Sequence, residues 1–528
     1  MNRYLFFVLL AGGLCFRLFM LVQVELVNGG DLDVYLADEG VVGLMAKHIA
    51  EGRELPVFFY GQHYLGALEA YLAAVAFKLA GPSLVVLRSV PFIFSLLLVA
   101  AVYSFSYRFY SVAAARWATA LVAVSPVYFL QWNLKARGGF IEHLVILFLV
   151  MLLFWRFYLD HERQRPVALA LGLVAGLAMW VNQLVMTYLI PAALLLARDR
   201  MDRRGLATVL AGFLVGASLL IGYNTVHPLA TFKTLARKSV VLNRVPVEER
   251  SQNWLLKGVG KRVEALGQGA DKLGLVFGVP PREGVERLGL DESAKRGGQL
   301  TTLRRVLAVF PAMVFLVALA ACRPRRSAGG GRVWRGSDQL LGLFMLATFL
   351  VGYVSPRYML AAYPLAAVMA GVLLSRLHGT RRRWMAAGVA SVLVFNLLSW
   401  GDMSAAAGTG SAKRVERLNA ALAELGLNRC YSAGPMYHAV FGAKEEIILA
   451  PLQKDRYPAY GRAVAEAREI CYVFRPDQDG KRQHLAFMSL LERKNISFEQ
   501  TSTGDYEILY GFNPRRAITA VDMDEVRG

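Results

Sequence analysis

Cysteine is scarce in this chain, with four in 528 residues. Two of them, Cys15 and Cys322, lie inside apolar runs, which excludes a cysteine-based metal framework. No Gly-rich fingerprint of the kind that cradles nucleotide phosphates is present. No small-residue cleavage site follows the first apolar run. Tyr4 to Val24 is also too long for a leader's apolar region and carries Arg17, so it is expected to remain as a span. No internal repeat relates the two halves, which weighs against a repeat-built transporter. Acidic residues are outnumbered, 39 against 59 Lys and Arg, for a net charge of +20. Much of that excess is Arg in short linkers between apolar runs, where basic residues orient helices, so nucleic acid is not its expected partner.

What the chain has in abundance is apolar sequence, 55% of all residues. It comes in blocks of about the 20 residues needed to cross a bilayer. The fold class is therefore an α-helical polytopic membrane protein. Basic linkers at Arg108 to Arg116, Arg163 to Arg165, Arg198 to Arg204, Arg323 to Arg335 and Arg376 to Arg383 are assigned to the cytoplasmic side, as is the N-terminus. Eleven crossings result: Tyr4 to Val24, Val85 to Ser106, Ala113 to Leu130, Phe140 to Phe157, Val167 to Val181, Leu184 to Ala197, Leu206 to Tyr223, Val306 to Cys322, Leu340 to Val354, Tyr358 to Leu374 and Trp384 to Leu398. Residues 1–400 form the membrane domain, with external loops at 27–83 and 227–303. Residues 401–410 read as a small-residue linker and 411–528 as a small external α/β domain. Short β-like runs are expected at Cys430 to Ser432, Ile447 to Leu449, Ile470 to Phe474 and Glu507 to Tyr510. Cys430 and Cys471 fall in two of these, either as a disulfide in an oxidising compartment or as two buried thiols.

The candidate functional groups gather at the outer face. Asp38 and Glu39, in Leu36-Ala37-Asp38-Glu39-Gly40, stand just past the first span, where carboxylates lose solvation and persist with a partner or a task. Val41, Leu44, Met45 and Ile49 make an apolar stripe at helical spacing, which predicts a helix lying along the membrane. A second juxtamembrane helix is expected over Gln62 to Leu79. Three clusters share this face. Phe59 to Glu69 interleaves aromatic rings with polar tips at Tyr60, Gln62, His63, Tyr64 and Glu69, a composition that suits a sugar. Gln131 to His143 reads as a polar outer loop bearing Lys135, Arg137 and Glu142. Ser355 to Pro364 carries Arg357, whose planar fork suits a phosphate, followed by Tyr358.

These features together resemble the C-type glycosyltransferases (GT-C fold), the superfamily of protein O-mannosyltransferases and bacterial aminoarabinose transferases. The resemblance rests on the acidic pair in the first external loop, the juxtamembrane helix pair, the acid at the mouth of the fourth span and the late Arg357-Tyr358-Met359-Leu360. It covers about residues 1–400, and only the acidic pair is specific. Where those enzymes typically carry a Lys- or His-Pro-Pro step, this chain has Gln62-His63.

The resemblance implies transfer of a sugar from a polyprenyl-phosphate carrier to a periplasmic glycan, lipid or protein acceptor, with inversion, in a bacterial inner membrane. Asp38 would be the general base, with Glu39 and Glu142 orienting the acceptor or tuning it. Arg357 with Lys135 or Arg137 would hold the lipid phosphate. Related oligosaccharide transferases hold a divalent metal, for which Asp38, Glu39 and Glu142 are the available oxygens; with these cations at hand, no metal cofactor is expected. The competing class is a transporter or lipid-carrier flippase, and a third is an inactive scaffold.

Overall fold

The computed structural model describes residues 1–22, 36–158, 164–198, 203–238, 274–278, 325–326, 332–333, 336–352, 355–405, 411–453, 455–475, 478–503, 506–514 and 518. Among these, five helices are long and apolar enough to cross a membrane, and seven spans result if each of two bent pairs counts as one. The span expected over Val306 to Cys322 and most of the long loop 227–303 lie outside the described residues.

The first span, α1 (Arg3–Val22), carries Arg17 with no exposed surface. Its guanidinium donates to Ser95 Oγ at 2.9 Å and to the carbonyls of Val122 and Ala123. Those carbonyls end α5 (Val112–Ala123), which breaks by 79° into α6 (Val127–Leu134). A buried cation on the orphan carbonyls of a helix C-terminus supplies hydrogen bonds where no water reaches. The straight span expected over Ala113 to Leu130 is therefore a bent pair. Glycines bring α8 (Arg165–Val181) and α10 (Arg203–Gly216) together: Gly172 and Gly176 on one face Gly212 and Gly216 on the other, and a Cβ at any of them would strike the facing backbone. Small residues four apart allow this close approach in membranes.

The outer loop after α1 departs from expectation. Residues 62–66 are not helix but the second strand of a hairpin, β1 (Phe58–Phe59) with β2 (Gln62–Gly66), followed by the short helix α3 (Leu68–Ala80). Nor does α2 (Leu36–Ala50) present a polar face to water. From Ala37 to Ile49 every residue but Asp38 is buried. The reason is a second apolar core, separate from that of the spans: Val41, Leu44, Met45 and Ile49 of α2 and Ala70, Ala73 and Phe77 of α3 pack in one cluster with the C-terminal domain. Gly40 and Gly43 let α2 touch the helix Tyr437–Gly442 of that domain, since a Cβ at Gly40 would meet the backbone of His438.

The C-terminal domain follows α15 (Gly379–Ala405), which runs as helix into the segment expected as linker. Its five-stranded sheet has the order β4-β3-β5-β7-β6, where β3 (Arg429–Ser432), β4 (Ile448–Pro451) and β5 (Cys471–Phe474) are parallel and β6 (Ser497–Thr503) and β7 (Tyr506–Asn513) complete it antiparallel. Of the parallel strands, β4 and β5 read as near-continuous apolar runs because both faces are covered, whereas β3 alternates half-buried and buried residues. Strand β6, largely exposed and polar at the sheet edge, carried no apolar alternation to announce it. Cys430 and Cys471 are opposite one another on β3 and β5 and form a disulfide, with Cα atoms 4.3 Å apart.

Candidate active site

Helix α2 divides the acidic pair. Neighbouring residues on a helix project about 100° apart, so Asp38 and Glu39 face different surroundings. Glu39 turns inward to Arg88 on α4 (Leu84–Phe109), where Nε donates to Oε1 at 2.8 Å and Nη2 to Oε2 at 2.7 Å. Burial pushes the Glu39 carboxyl up, but Arg88, with Lys135 and Arg137 behind it, outweighs burial and holds it below the usual carboxylate range. Asp38 turns outward, about a quarter exposed, and receives Arg456 Nη1 at 2.5 Å.

The β1–β2 hairpin lines the same side. Gly61 takes a φ of 67° at its tip, a left-handed turn glycine adopts at no steric cost. Gln62 and the Tyr64 hydroxyl share a 2.6 Å hydrogen bond. Burial raises the Tyr64 phenol, and the nearby Tyr358 and Asp38 add to it. Arg357 and Tyr358 come from the short 3-10 turn Pro356–Met359, with the Arg357 guanidinium 5.1 Å from the Tyr358 ring centre and Nη2 donating to its hydroxyl at 3.3 Å. Asp38, Tyr64, Arg357 and Tyr358 thus lie near enough for their charges to act on one another, with Arg456 bonded to Asp38.

Residues 131–139 are a correction to the expected outer loop. Trp132 to Leu134 end α6, and Lys135, Ala136, Arg137, Gly138 and Gly139 are all buried before α7 (Phe140–Tyr158) begins. Arg137 packs its guanidinium 4.0 Å from the Trp132 ring. The expected outer cations Lys135 and Arg137 therefore face inward, their charges acting on Glu39. Gly138 and Gly139, at φ 79° and 86°, aim their N–H groups at Glu69 Oε2, at 2.6 and 3.4 Å. Glu69 is buried on α3, and its carboxyl is raised first by burial and then by the charge of Glu142. Glu69 Oε1 and both Glu142 oxygens have no hydrogen-bond partner among the described residues.

Two further sequence candidates are placed elsewhere. Tyr60 bonds to His48 Nδ1 at 2.9 Å and stacks on Tyr457, within a network that closes on Glu445. There Glu445 receives Lys47 Nζ at 2.5 Å, His48 Nε2 at 2.8 Å, Tyr460 at 2.8 Å and Arg53 at 3.0 Å, which ties the C-terminal domain to the end of α2. His63 instead pairs with Tyr223 at 2.9 Å, and burial, then His227, lowers its imidazole.

The oxygens named for a divalent metal are not gathered. Both Glu39 oxygens are on Arg88 and Asp38 Oδ1 is on Arg456. Among the described residues no three His, Cys, Asp or Glu side chains form a group able to hold a metal ion. Arg88, Arg456 and Glu445 were not found from the sequence. Arg88 read as a charge near one end of a span.

The fold is shared with a solved structure. ArnT from Cupriavidus metallidurans bound to undecaprenyl phosphate superposes with a TM-score of 0.60 at 12% identity, over 97% of this chain and 98% of that one. The chain has the GT-C fold. ArnT in the apo state gives a TM-score of 0.56 at 12% identity, over 92% and 96%. An Archaeoglobus fulgidus oligosaccharyltransferase, tethered with an acceptor peptide containing the NVT sequon, gives 0.50 at 14%, over 97% of this chain and 74% of that one. Residues 67–226 of this GT-C chain match the family model described as dolichyl-phosphate-mannose-protein mannosyltransferase. That segment holds Glu69, the Lys135–Gly139 stretch and Glu142, whereas Asp38, Arg357 and Arg456 lie outside it. No curated protein is significantly similar in sequence.

Proposed function

We propose that the protein is a membrane glycosyltransferase that moves a sugar from a polyprenyl-phosphate carrier to an acceptor on the external face of a bacterial inner membrane. The observation that carries this reading is the position of Asp38. It is the one member of the acidic pair with solvent access, and it shares its surroundings with Arg357, Tyr358 and Tyr64 in a fold whose solved relative holds undecaprenyl phosphate.

In the proposed step the acceptor hydroxyl oxygen bonds to the anomeric carbon as the bond from that carbon to the phosphate oxygen breaks. The hydroxyl proton goes to Asp38 and the lipid phosphate departs with the bonding pair. Attack opposite the leaving group inverts the centre. A placed base contributes about 10²- to 10⁴-fold. Arg357 stabilises the charge growing on the phosphate, as fixed cations do where charge develops. Tyr64, Gln62 and Tyr358 supply rings and hydrogen-bonding tips for the sugar. Glu39, beside Asp38 on α2, and the buried Glu142 would orient the acceptor or tune Asp38.

The Cys430–Cys471 disulfide supports an external C-terminal domain, because such bonds persist in oxidising compartments. The acceptor, whether glycan, lipid or protein, would reach Asp38 from the side of that domain. The test is release of polyprenyl phosphate from a panel of polyprenyl-phosphate sugars by wild type and Asp38→Asn, with a membrane extract as acceptor. Turnover of one donor that falls by about 10²- to 10⁴-fold in the variant is expected. Equal turnover in both would remove Asp38 as the base.

A further inference from the structure

Arg456 belongs to the C-terminal domain, yet its side chain lies in the membrane domain's site. It occupies the turn after β4, which Tyr437 pins: the Tyr437 hydroxyl donates to Asp455 Oδ1 at 2.7 Å and accepts the Arg456 N–H at 2.6 Å. The side chain then crosses the hairpin tip, where a Cβ on Gly61 would come within 3.1 Å of it. Its guanidinium lies 5.5 Å from the Phe59 ring centre and bonds Asp38 through Nη1. With the Gln62 amide turned so that its oxygen faces the guanidinium, that oxygen accepts from Nη1 and Nη2 at 3.1 and 3.2 Å.

The turn carrying Arg456 leaves the carboxyl end of β4, the edge strand of the sheet, and sets the guanidinium on Asp38.

We propose that Arg456 is a phosphate-binding residue supplied by the C-terminal domain, held on Asp38 while the site is empty and drawn onto the donor's lipid phosphate when that arrives. This rests on the donor class of the preceding subsection. A phosphate offers the bidentate geometry an arginine fork prefers over one carboxylate oxygen. The Asp38–Arg456 pair is part-exposed, about a quarter on each side, and such pairs are weak enough to be exchanged. The exchange also frees the Asp38 carboxylate for the acceptor hydroxyl at the moment the donor is in place. Arg357, whose buried Nε has no partner among the described residues, provides the second cation.

The consequence has an unusual sign: Asp38→Asn, which loses turnover, gains affinity for the anion because nothing competes for Arg456. The experiment is titration of undecaprenyl phosphate into purified full-length protein in phosphatidylcholine nanodiscs. For Asp38→Asn we expect binding about two- to fivefold tighter, the scale of a part-exposed ion pair that no longer competes. For Arg456→Gln we expect it about tenfold weaker, the loss of a charge-assisted hydrogen-bonding partner. The double variant should bind like Arg456→Gln. A gain from Asp38→Asn that persists in the Arg456→Gln background would reflect simple charge repulsion and overturn the proposal. Wild-type affinity in Arg456→Gln would do so as well. Arg456→Lys, which keeps a cation, should recover part of the affinity; if it binds no better than Arg456→Gln, the residue is structural and the proposal fails. Competition by phosphatidylglycerol as effective as undecaprenyl phosphate would reassign the site to a lipid headgroup and overturn the donor role. No binding by wild type would overturn the donor class itself and this inference with it, an outcome distinct from those in which wild type binds.

Discussion

Glu39 and Arg88 are bonded oxygen to nitrogen twice, at 2.7 and 2.8 Å, and neither has more than 2% of its surface exposed. The pair fixes the first turn of α2 against α4, and with it the direction in which Asp38 points. An acid pair that looks like one catalytic unit is thus one anchor and one exposed carboxylate.

Breaking that anchor on one side removes the carboxylate that faces the buried Arg88 guanidinium. Glu39→Gln is expected to destabilise the protein by about 3 to 5 kcal/mol, and replacing both residues, Glu39→Leu with Arg88→Met, to cost much less. Thermal unfolding in detergent measures both, and a double variant no more stable than Glu39→Gln would contradict the anchor role.

Glu445 holds the C-terminal domain on α2. Burial pushes its carboxyl up, but bonds from His48, Lys47 and Tyr460 outweigh this and hold it well below the ordinary carboxylate range. A group depressed in the folded state stabilises it above the unfolded value, about 4.3 for Glu, and loses that contribution as pH falls towards the folded value. Docking should therefore weaken progressively below about pH 4.3 in wild type. Glu445→Gln should show weaker docking at neutral pH and a flatter acid response. Hydrogen exchange of the helix Tyr437–Gly442 across this range reads both, and identical acid profiles would remove Glu445 as the latch.

Because both Glu39 oxygens are committed to Arg88, turnover should survive excess chelator. Loss of turnover restored by Mn²⁺ or Mg²⁺ would show that substrate rearranges these groups around a metal.

The disulfide closes a loop across a sequence separation of 41. Cys430→Ser with Cys471→Ser should lower the stability of the C-terminal domain by about 2 to 4 kcal/mol. Under denaturing conditions without reductant, a maleimide polymer should leave both thiols unmodified, and reductant should expose two further sites. Full modification without reductant would place the domain in a reducing compartment.

The sequence by itself determined the membrane class, five spans that are single apolar helices, four of the five strands of the C-terminal domain and the candidacy of Asp38 and Arg357. Each is a local pattern: apolar run length, apolar runs at strand length, a charge where apolar sequence stops. The hairpin at 58–66 escaped because its five-residue strand runs directly into α3, and the pooled composition of 62–79 reads as one helix. The burial of Lys135 and Arg137 escaped for a related reason. A short polar stretch between apolar runs looks the same whether it meets water or folds inward onto buried carboxylates.

Only the tertiary structure decided which charges pair. Asp38 and Arg456 are 418 residues apart, and Glu39 and Arg88 are 49 apart. No local periodicity encodes a partner at such a distance, since hydrophobic patterning reports which face leaves water and not what waits there. The second core decided the rest: once α2 is buried against the C-terminal domain, Asp38 is the one residue from Ala37 to Ile49 that is not buried, and the arginine bonded to it, Arg456, comes from that domain.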